Sequence, residues 1–535
     1  MSPSVCRLRA ILELRIVWAA IFVVFFSYLS VRFGTDGTPD FRIYHYYNGY
    51  AALFDRTNLD LVPAQLQTFL FPYLDAVYYL LFRGLNSHPT LLNIILSLPY
   101  AFAGWVVFFI GDFVVPRDWP WRRTATGLAA LYGTTGAGGL PTLATTMSDV
   151  VPGVLALAAL LFWLRFEQQG KNENSAAALT GAVCGLSVAL KLTIAPLFIA
   201  LGLVIFLRRL KRPPQAIKAI ACYGVAGSAV FLAAVGPWLL HNYIAYGNPF
   251  FPAFNDVFKS DFVSHSSWLD TRFKPKTILM ALFYPAYWAF TPSHDAIELN
   301  MQDPRILFGL ISAGMMLVVA LVGRNSNKFK STGSAGIPCW YLALYFVVGY
   351  VLWELRFSIF RYLATLECLS GVMVLGALRA CWGYRSKSRA IGVFCAIIAA
   401  SATVTRYPWW SRAMPAAQAI QIRLPEIERD AMIIFLDPYA YSYLVPSMPE
   451  TVRVIGANNN IVRPGVWGEL QAQVAHAISD YRGSIWGVDD PREFPGVADQ
   501  TLAYYHLSRS DNCAFVETNI EDRPNKIRMC HLVHQ

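Results

Sequence analysis

Apolar stretches about 20 residues long recur along most of this chain, and they restrict its possible folds more than any other feature. A stretch of that length is what a helix needs to cross the hydrocarbon core of a bilayer. Composition agrees, because 55% of the 535 residues are hydrophobic and only 15% are charged, whereas soluble domains carry roughly 25% charged residues. A chain so poor in charge cannot cover several water-soluble domains with polar surface, so the sequence predicts a polytopic membrane protein.

We predict about eleven transmembrane helices, at 14–33, 90–112, 124–142, 148–166, 175–190, 193–208, 217–241, 304–323, 337–355, 361–379 and 389–405. The short pair between 175 and 208 is divided at Lys191–Pro196, since proline disfavours helix in the preceding residue. Two further amphipathic stretches, 66–85 and 277–291, are typical of interfacial or re-entrant helices. The first span is interpreted as a retained signal anchor, because no cleavage motif follows it.

Basic residues mark alternate loops of this predicted bundle. Arg and Lys gather at 7–15, 117–123, 165–171, 208–218, 324–330 and 379–389, whereas the intervening loops carry most of the Asp residues. By the positive-inside rule the basic loops face the cytoplasm. The net charge of +10 is therefore a topology signal and not a sign of nucleic-acid binding. The sequence predicts an inner (plasma) membrane protein with a cytoplasmic N-terminus and a periplasmic C-terminal region.

The pattern changes after the last predicted span. Residues 428–535 alternate short β-rich runs with helical stretches, which is typical of a small α/β domain. The predicted fold class is therefore mainly α. It comprises a polytopic transmembrane helical bundle in residues 1–410, with a long first exported loop at 34–66, and an extracytoplasmic α/β domain in 411–535.

Two cysteines lie in the predicted C-terminal domain, where Cys513 and Cys530 flank a polar loop between two predicted strands. Such a pair suits a disulfide in an oxidising compartment. A metal site is not predicted, since the domain contains no CxxC or HxxxH set. The chain also lacks HExxH, GxSxG and Walker motifs, and we assign its glycine-rich run GTTGAGG (133–139) to a turn or helix contact.

Carboxylates near the outer ends of predicted spans are the first candidate catalytic residues. Asp36 and Asp40 follow the first span, and Asp149 begins the fourth. A carboxylate at the edge of the membrane can accept a proton from a hydroxyl group, because apolar surroundings keep it basic. The alternative interpretation is that these residues cap or solvate loops. Tyr44 and His45, in the same first loop, are candidate acceptor- or sugar-binding residues.

Cations near apolar helices form the second candidate group, which comprises Lys191, Arg356 and Arg361. A charge inside an apolar helix costs about 2.5–3.5 kcal/mol on insertion scales, so a functional role is the default expectation. A fixed cation at this depth suits a lipid-borne phosphate, because the lipid tail can remain in the hydrocarbon. Arg361 could instead snorkel to the membrane surface or pair with Glu354.

Four short motifs are similar to stretches of known membrane proteins: DFRIYHYYN (Asp40–Asn48), GLSVALKLT (Gly185–Thr193), YGNPFFPAFND (Tyr246–Asp256) and FRYL (Phe360–Leu363). Together with the acidic first loop and the C-terminal domain, they make the chain resemble the GT-C superfamily of polyprenyl-phosphate-sugar-dependent glycosyltransferases, and within it proteins of the glycosyltransferase 87-like kind. The usual Glu/Asp-Asp doublet of some subfamilies is absent from the first loop, which leaves the subfamily and metal dependence open.

The resemblance implies a role for each candidate residue. Asp40 best matches the catalytic base, Asp36 is its rival, and Asp149 matches an assisting acid. Arg361 and Lys191 match donor-phosphate ligands, and Arg356 is a further candidate. No cofactor is implied, since the polyprenyl-phosphate sugar is the donor substrate.

The leading hypothesis is a glycosyltransferase that moves a sugar to an extracytoplasmic glycan, lipid or protein by direct displacement with inversion. A glycan ligase or polymerase would use the same lipid-phosphate chemistry. A lipid-linked sugar transporter or flippase is the alternative from another class, although transporters often carry an internal repeat and none is evident here. A non-enzymatic scaffold would leave the polar first loop unexplained.

Overall fold

The computed structural model describes residues 12–535 except 116–118, 120, 171–172, 324–339, 383–386 and 440. Parts of the predicted cytoplasmic loops, including 7–11 and 324–330, therefore lie outside the described residues. The protein is mainly helical, at 61%, and carries a small sheet region near its C-terminus.

Among the described residues, seventeen α-helices precede the sheet. They are α1 (Arg15–Phe33), α2 (Tyr46–Leu53), α3 (Tyr73–Gly84), α4 (Pro89–Val114), α5 (Arg122–Thr134), α6 (Val150–Gln169), α7 (Glu173–Leu190), α8 (Ala195–Arg208), α9 (Pro213–Tyr246), α10 (Asn255–Phe258), α11 (Ile278–Leu282), α12 (Tyr284–Phe290), α13 (Arg305–Gly323), α14 (Trp340–Arg356), α15 (Ala364–Glu367), α16 (Ser370–Trp382) and α17 (Lys387–Val404). A π-helix at Phe41–His45 precedes α2, and a 3-10 helix at Phe360–Leu363 precedes α15.

Within the described residues, five helices are long and apolar enough to cross a membrane: α1, α4, α6, α9 and α13. The bent pair Phe360–Glu367 and Ser370–Cys381 makes a sixth if it counts as one span. These helices are consistent with a membrane protein.

The prediction of about eleven spans is not supported. Each predicted segment contains helix, but the remaining ones are too short, bent or not apolar enough. Helix α5 has only 13 residues and ends at Thr134, where the glycine-rich run begins to turn the chain. Helix α8 has 14 residues, because α7 ends at Leu190 and the chain leaves helical geometry at Lys191. Hydrophobicity predicts where helices lie, whereas these breaks decide whether one is long enough to span.

The C-terminal region forms a five-stranded mixed sheet with strand order β3-β2-β4-β7-β5. The strands are β1 (Ile422–Arg423), β2 (Met432–Phe435), β3 (Arg453–Gly456), β4 (Ile485–Asp489), β5 (Leu507–Phe515), β6 (Glu517–Thr518) and β7 (Arg528–His534), and α18 (Glu469–Asp480) and α19 (Val497–Tyr504) connect them. Strands β2, β3 and β4 are parallel, whereas β7 is antiparallel to β4 and β5. Strand β1 pairs separately with β6. Cys513 and Cys530 face each other across β5 and β7 and form a disulfide.

The first loop lies between the helical bundle and this sheet. Leu61 bridges to Ile455 of β3, and one continuous apolar core contains Phe41 and Tyr47 of the first loop together with Phe435 of β2. The sheet region is therefore packed directly against the segment that carries the candidate catalytic residues.

Candidate functional site

Four of the predicted site residues meet although they are far apart in the sequence. Asp40 precedes the π-helix, Asp149 precedes α6, Lys191 follows α7, and Arg361 lies in the 3-10 helix before α15. Each therefore sits at the end of a helix or in a short irregular turn. Such positions let polar side chains from several elements converge without interrupting the apolar middle of a long helix.

Asp40 and Arg361 form the first ion pair of the site. The Arg361 guanidinium donates a hydrogen bond of 2.7 Å to Asp40 Oδ2, and the side chains of Arg361 and Asp40 are only 11% and 13% exposed, respectively. The Tyr44 hydroxyl donates to the same carboxylate at 3.3 Å. Burial opposes ionisation of Asp40, but the charges of Arg361, His45 and Lys191 outweigh it and lower the pKa of Asp40. Asp40 is thus a carboxylate in this arrangement.

Asp149 and Lys191 form the second ion pair, at 2.8 Å between Lys191 Nζ and Asp149 Oδ1. The ring of Tyr362 links the two pairs, because its centroid lies 5.7 Å from Lys191 Nζ and 5.2 Å from the Arg361 guanidinium carbon. Thr193 adds a long contact of 3.4 Å to Asp149 Oδ1.

Three buried polar atoms around these pairs have no hydrogen-bond partner among the described residues. They are Asp149 Oδ2, Arg361 Nε and His45 Nε2. An unpaired buried polar atom is costly, so water or a ligand is expected to complete the hydrogen bonding of such atoms. The donor and acceptor capacity left at this cluster is the property expected of a binding site.

His45 contacts Asp75, a residue that was not among the predicted site residues. Its Nδ1 lies 2.6 Å from Asp75 Oδ1 of α3, and both residues are buried. The stretch around Asp75 was predicted only as an interfacial or re-entrant helix. An acidic residue within an otherwise apolar, aromatic stretch was the available signal, and the buried partner on another element could not be inferred from it.

Asp36, the predicted rival base, occupies a different environment. Its carboxylate accepts hydrogen bonds from the backbone N–H and hydroxyl groups of Thr38 (2.9 and 2.7 Å) and of Thr146 (2.7 and 2.8 Å), and Asp36 is fully buried. Four donors occupy both oxygens of the carboxylate. Asp36 thus anchors the first loop to the turn before Asp149, which favours Asp40 as the reactive carboxylate.

Arg356 does not join the cluster around Asp40. It lies in the last turn of α14, with its guanidinium carbon 4.7 Å from the ring centroid of Phe254. The alternative pairing of Arg361 with Glu354 is not observed either, since Arg361 contacts Asp40. Of the three predicted phosphate-binding residues, Lys191 and Arg361 therefore lie against the same ring, that of Tyr362, whereas Arg356 lies against Phe254.

The sheet region contacts the π-helix through Arg42. The Arg42 guanidinium donates to Glu521 at 2.7 Å and to the Tyr439 hydroxyl at 2.5 Å, and the Ser442 hydroxyl donates to the Arg42 carbonyl at 3.0 Å. In the sequence, Tyr439 and Ser442 are 397 and 400 residues away from Arg42, and Glu521 is 479 residues away. Sequence patterns carried no signal for this contact.

The glycine-rich run supports packing, as the sequence predicts. The N–H groups of Gly138 and Gly139 donate to the buried carboxylate of Glu367, and a Cβ added at Gly136 would lie 2.0 Å from that carboxyl carbon. Among the described residues, no group of three or more His, Cys, Asp or Glu side chains could hold a metal ion.

Comparison with protein families matches residues 127–367 to a domain of unknown function (DUF8201). The matched segment includes Asp149, Lys191 and Arg361, whereas the first loop with Asp40 and His45 lies outside it. No curated protein matches the chain.

Proposed function

We propose that this chain is an integral membrane glycosyltransferase of the GT-C kind, which transfers a sugar from a polyprenyl-phosphate donor to an acceptor outside the cytoplasm. The observation that carries the proposal is the contact of Asp40 with Arg361 beside the pair of Asp149 and Lys191. A candidate base and two candidate phosphate ligands from separate chain segments thus share one buried cluster.

The cations of the cluster suit the phosphate of the donor. Arg361 uses one terminal nitrogen on Asp40, and its Nε has no partner among the described residues. A planar guanidinium can contact two anions at once, so a phosphate oxygen can bind Arg361 Nε while Asp40 stays in contact. Lys191 adds a second positive charge. Charge develops on the departing phosphate during transfer, and cations fixed in advance stabilise it.

Asp40 suits the role of the base. In direct displacement the acceptor hydroxyl loses its proton as its oxygen attacks the anomeric carbon, and the lipid phosphate leaves from the opposite face, which inverts that carbon. The bound phosphate shares the positive charge of Arg361, so Asp40 is held less firmly as an anion and becomes a better proton acceptor. Donor binding and activation of the base are thereby linked.

A deletion strain tests the function directly. Mass spectrometry of its envelope glycans, lipids and proteins should reveal a species that lacks one sugar, and the wild-type gene should restore that sugar while Asp40→Asn should not. Purified protein should transfer labelled sugar from at least one of a panel of undecaprenyl-phosphate-linked hexoses and pentoses to envelope material of the deletion strain.

Two outcomes contradict the proposal. An unchanged set of envelope masses together with no transfer from any donor of the panel would reject glycosyl transfer. Movement of intact lipid-linked sugar across vesicles, without formation of a new glycosidic bond, would instead assign the chain to the transporter class.

A further inference from the structure

We propose that a cleft beside the segment that carries Asp40 binds a neutral sugar unit of the acceptor, so that the acceptor is a glycan of two or more sugars. The cleft lies between the first loop, the C-terminal end of α9 and α18 of the sheet region. This inference rests on the proposed glycosyl transfer and extends it, because it selects one acceptor class among glycan, lipid and protein.

Aromatic rings form much of the cleft. Its lining includes Tyr47 of α2, Phe69 of the 3-10 helix Gln65–Phe69, and Trp238 and Tyr246 of α9. The ring of Phe69 stands edge-on to that of Tyr246, with 5.1 Å between the ring centroids. A sugar ring carries apolar C–H groups on its faces and hydroxyl groups around its edge. A pocket that combines aromatic side chains with a few fixed polar groups suits such a ligand.

Two asparagines that line the cleft supply the fixed polar groups. Asn48 donates through Nδ2 to the Gln67 carbonyl at 2.8 Å. Asn242 Nδ2 makes a long contact of 3.4 Å with the Phe69 carbonyl, which also accepts from Trp238 at 3.0 Å. A carbonyl only accepts, so the amide nitrogens face the backbone and the amide oxygens do not. Asn242 is 1% exposed, and its Oδ1 has no partner among the described residues, which leaves an acceptor that a ligand hydroxyl would satisfy.

The lining is close to neutral, which argues against a ligand that bears phosphate. Among the described residues that line the cleft there is no Lys or Arg, Asp60 is the one carboxylate, and His241 is the one imidazole. Asp60 accepts two hydrogen bonds from the Arg56 guanidinium, at 2.8 and 2.7 Å, and a third from the Tyr47 hydroxyl at 2.8 Å. Its charge is thus balanced within the fold. The donor phosphate has cations in the ion-pair cluster described above, so the cleft suits an uncharged group of the acceptor.

The cleft and the candidate base share one helical segment. Tyr44, whose hydroxyl donates to Asp40, lies about one turn before Asn48 of α2. At a rise of about 1.5 Å per residue, Asp40 and Asn48 are about 12 Å apart at most along this segment. That distance is longer than one sugar ring. A sugar in the cleft and a reacting hydroxyl at Asp40 therefore belong to different units of one glycan.

The cleft continues over the surface of the sheet region. Leu61 and Gln473 line both the cleft and a second, open depression, whose other walls include Arg453, His476 and Tyr481. A longer glycan can therefore extend from the cleft along this surface, which a single sugar would not reach.

Two variants of the full-length protein in detergent test the cleft. Ala52 is exposed on α2 and lines the cleft, so Ala52→Trp fills it without removing an anchoring contact. Asn242→Leu keeps the side-chain size and removes the amide oxygen. With acceptor glycans from the envelope of the deletion strain, the acceptor KM should rise about tenfold or more in Ala52→Trp and about three- to tenfold in Asn242→Leu. Donor retention and kcat should stay at their wild-type values, because Asp40 and Arg361 are untouched.

Ala472→Trp is the matched control, because Ala472 is exposed on α18 but does not line the cleft. It should keep the wild-type acceptor KM. An unchanged acceptor KM in either cleft variant would overturn the cleft assignment and leave glycosyl transfer intact. A product in which the transferred sugar is joined directly to a lipid or a protein would overturn it as well.

A binding measurement separates this inference from the proposed function. Saturation-transfer difference NMR with neutral oligosaccharides released from the same envelope should show sugar ring-proton signals with wild-type protein and with Ala472→Trp, but not with Ala52→Trp. Such binding without any sugar transfer would support the carbohydrate site and contradict the proposed function. Equal signals with Ala52→Trp, or none with wild-type protein, would reject the carbohydrate site.

Discussion

At the scale of single residues, the contact between Asp40 and Arg361 limits what either side chain can do alone. Arg361 keeps Asp40 charged despite its burial, and Asp40 compensates a cation that lies against apolar helix ends. Loss of the charge at either position therefore changes both chemistry and stability, and the variants must be chosen to separate the two effects.

Asp40→Asn removes the proposed base while it preserves size and much of the hydrogen bonding. Transfer should slow about 10²–10⁴-fold, because general-base assistance is lost, while donor lipid is still retained. The measurement is sugar transfer and donor retention by purified protein. Asp55→Asn, an exposed acid in the same loop, is the control and should transfer normally. Normal transfer by Asp40→Asn would remove Asp40 from the mechanism.

Arg361→Lys keeps a positive charge near Asp40 but lacks the second donor edge of the guanidinium. Donor retention should therefore weaken about tenfold or more, since a charge-assisted hydrogen bond contributes roughly 1.5–3 kcal/mol, while thermal stability should stay close to wild type. Equal donor retention by Arg361→Lys and wild type would argue against phosphate binding through Arg361.

Arg361→Ala tests the ion pair by its pH dependence. Folding lowers the pKa of Asp40, so the pair contributes stability above the unfolded value of about 3.9, and this contribution is lost as the pH falls through the folded value. Arg361→Ala should thus be clearly less stable than wild type near pH 7, by about 3–5 kcal/mol, and the difference should narrow in acid. Thermal unfolding at several pH values measures it, and a difference that does not vary with pH would contradict the assignment.

At the scale of elements, the π-helix depends on the sheet region for its position. Arg42 and Glu521 are both buried, and Glu521 also accepts from Tyr439 and Tyr443 and lies 3.3 Å from Lys526. The sheet is therefore more than an appended domain, because its loops hold the backbone that carries Asp40 and His45.

Glu521→Ala should leave Arg42 buried without its anion. The expected cost is about 3–5 kcal/mol, with a parallel loss of sugar transfer because the π-helix loses its support. Glu517→Ala, which breaks the exposed pair with Arg423, is the control and should change neither property much. Differential scanning fluorimetry and the transfer assay report the two effects, and wild-type behaviour of Glu521→Ala would refute the supporting role.

At the scale of the whole molecule, fewer of the described helices than predicted are long enough to cross a membrane. The membrane topology is therefore a prediction for reporter fusions to test. The basic loops still predict that the region after the last helix lies outside the cytoplasm, where the Cys513–Cys530 disulfide would be stable. A periplasm-dependent reporter fused after Gln535 should be active, whereas one inserted at Lys218 should be inactive. The reverse pattern would move the site to the cytoplasmic side.

Hydrophobicity and charge along the sequence predicted the general architecture of this protein, a mainly helical chain with a small C-terminal sheet region. Apolar runs located the helices, and the change of pattern near residue 411 located the sheet region, because both depend on local properties of the chain. The same local signals overestimated the spans. The break at Lys191 lies where the sequence predicts it, whereas the end of α5 at Thr134, well before the predicted end at 142, is not recorded by the hydrophobicity of the segment.

The candidate site likewise combines residues that the sequence indicates with contacts that only the folded structure shows. A charge among apolar residues is conspicuous in a sequence, so Asp40, Asp149, Lys191 and Arg361 could be selected before any contact was known. Their pairing, the burial of Asp36 under four donors and the approach of Asp75 to His45 are contacts between segments distant in sequence or set by local turns. The sequence by itself thus determined which residues are candidates for the site, and the tertiary structure decided which of them lie together, because partner choice depends on distances that only the folded chain creates.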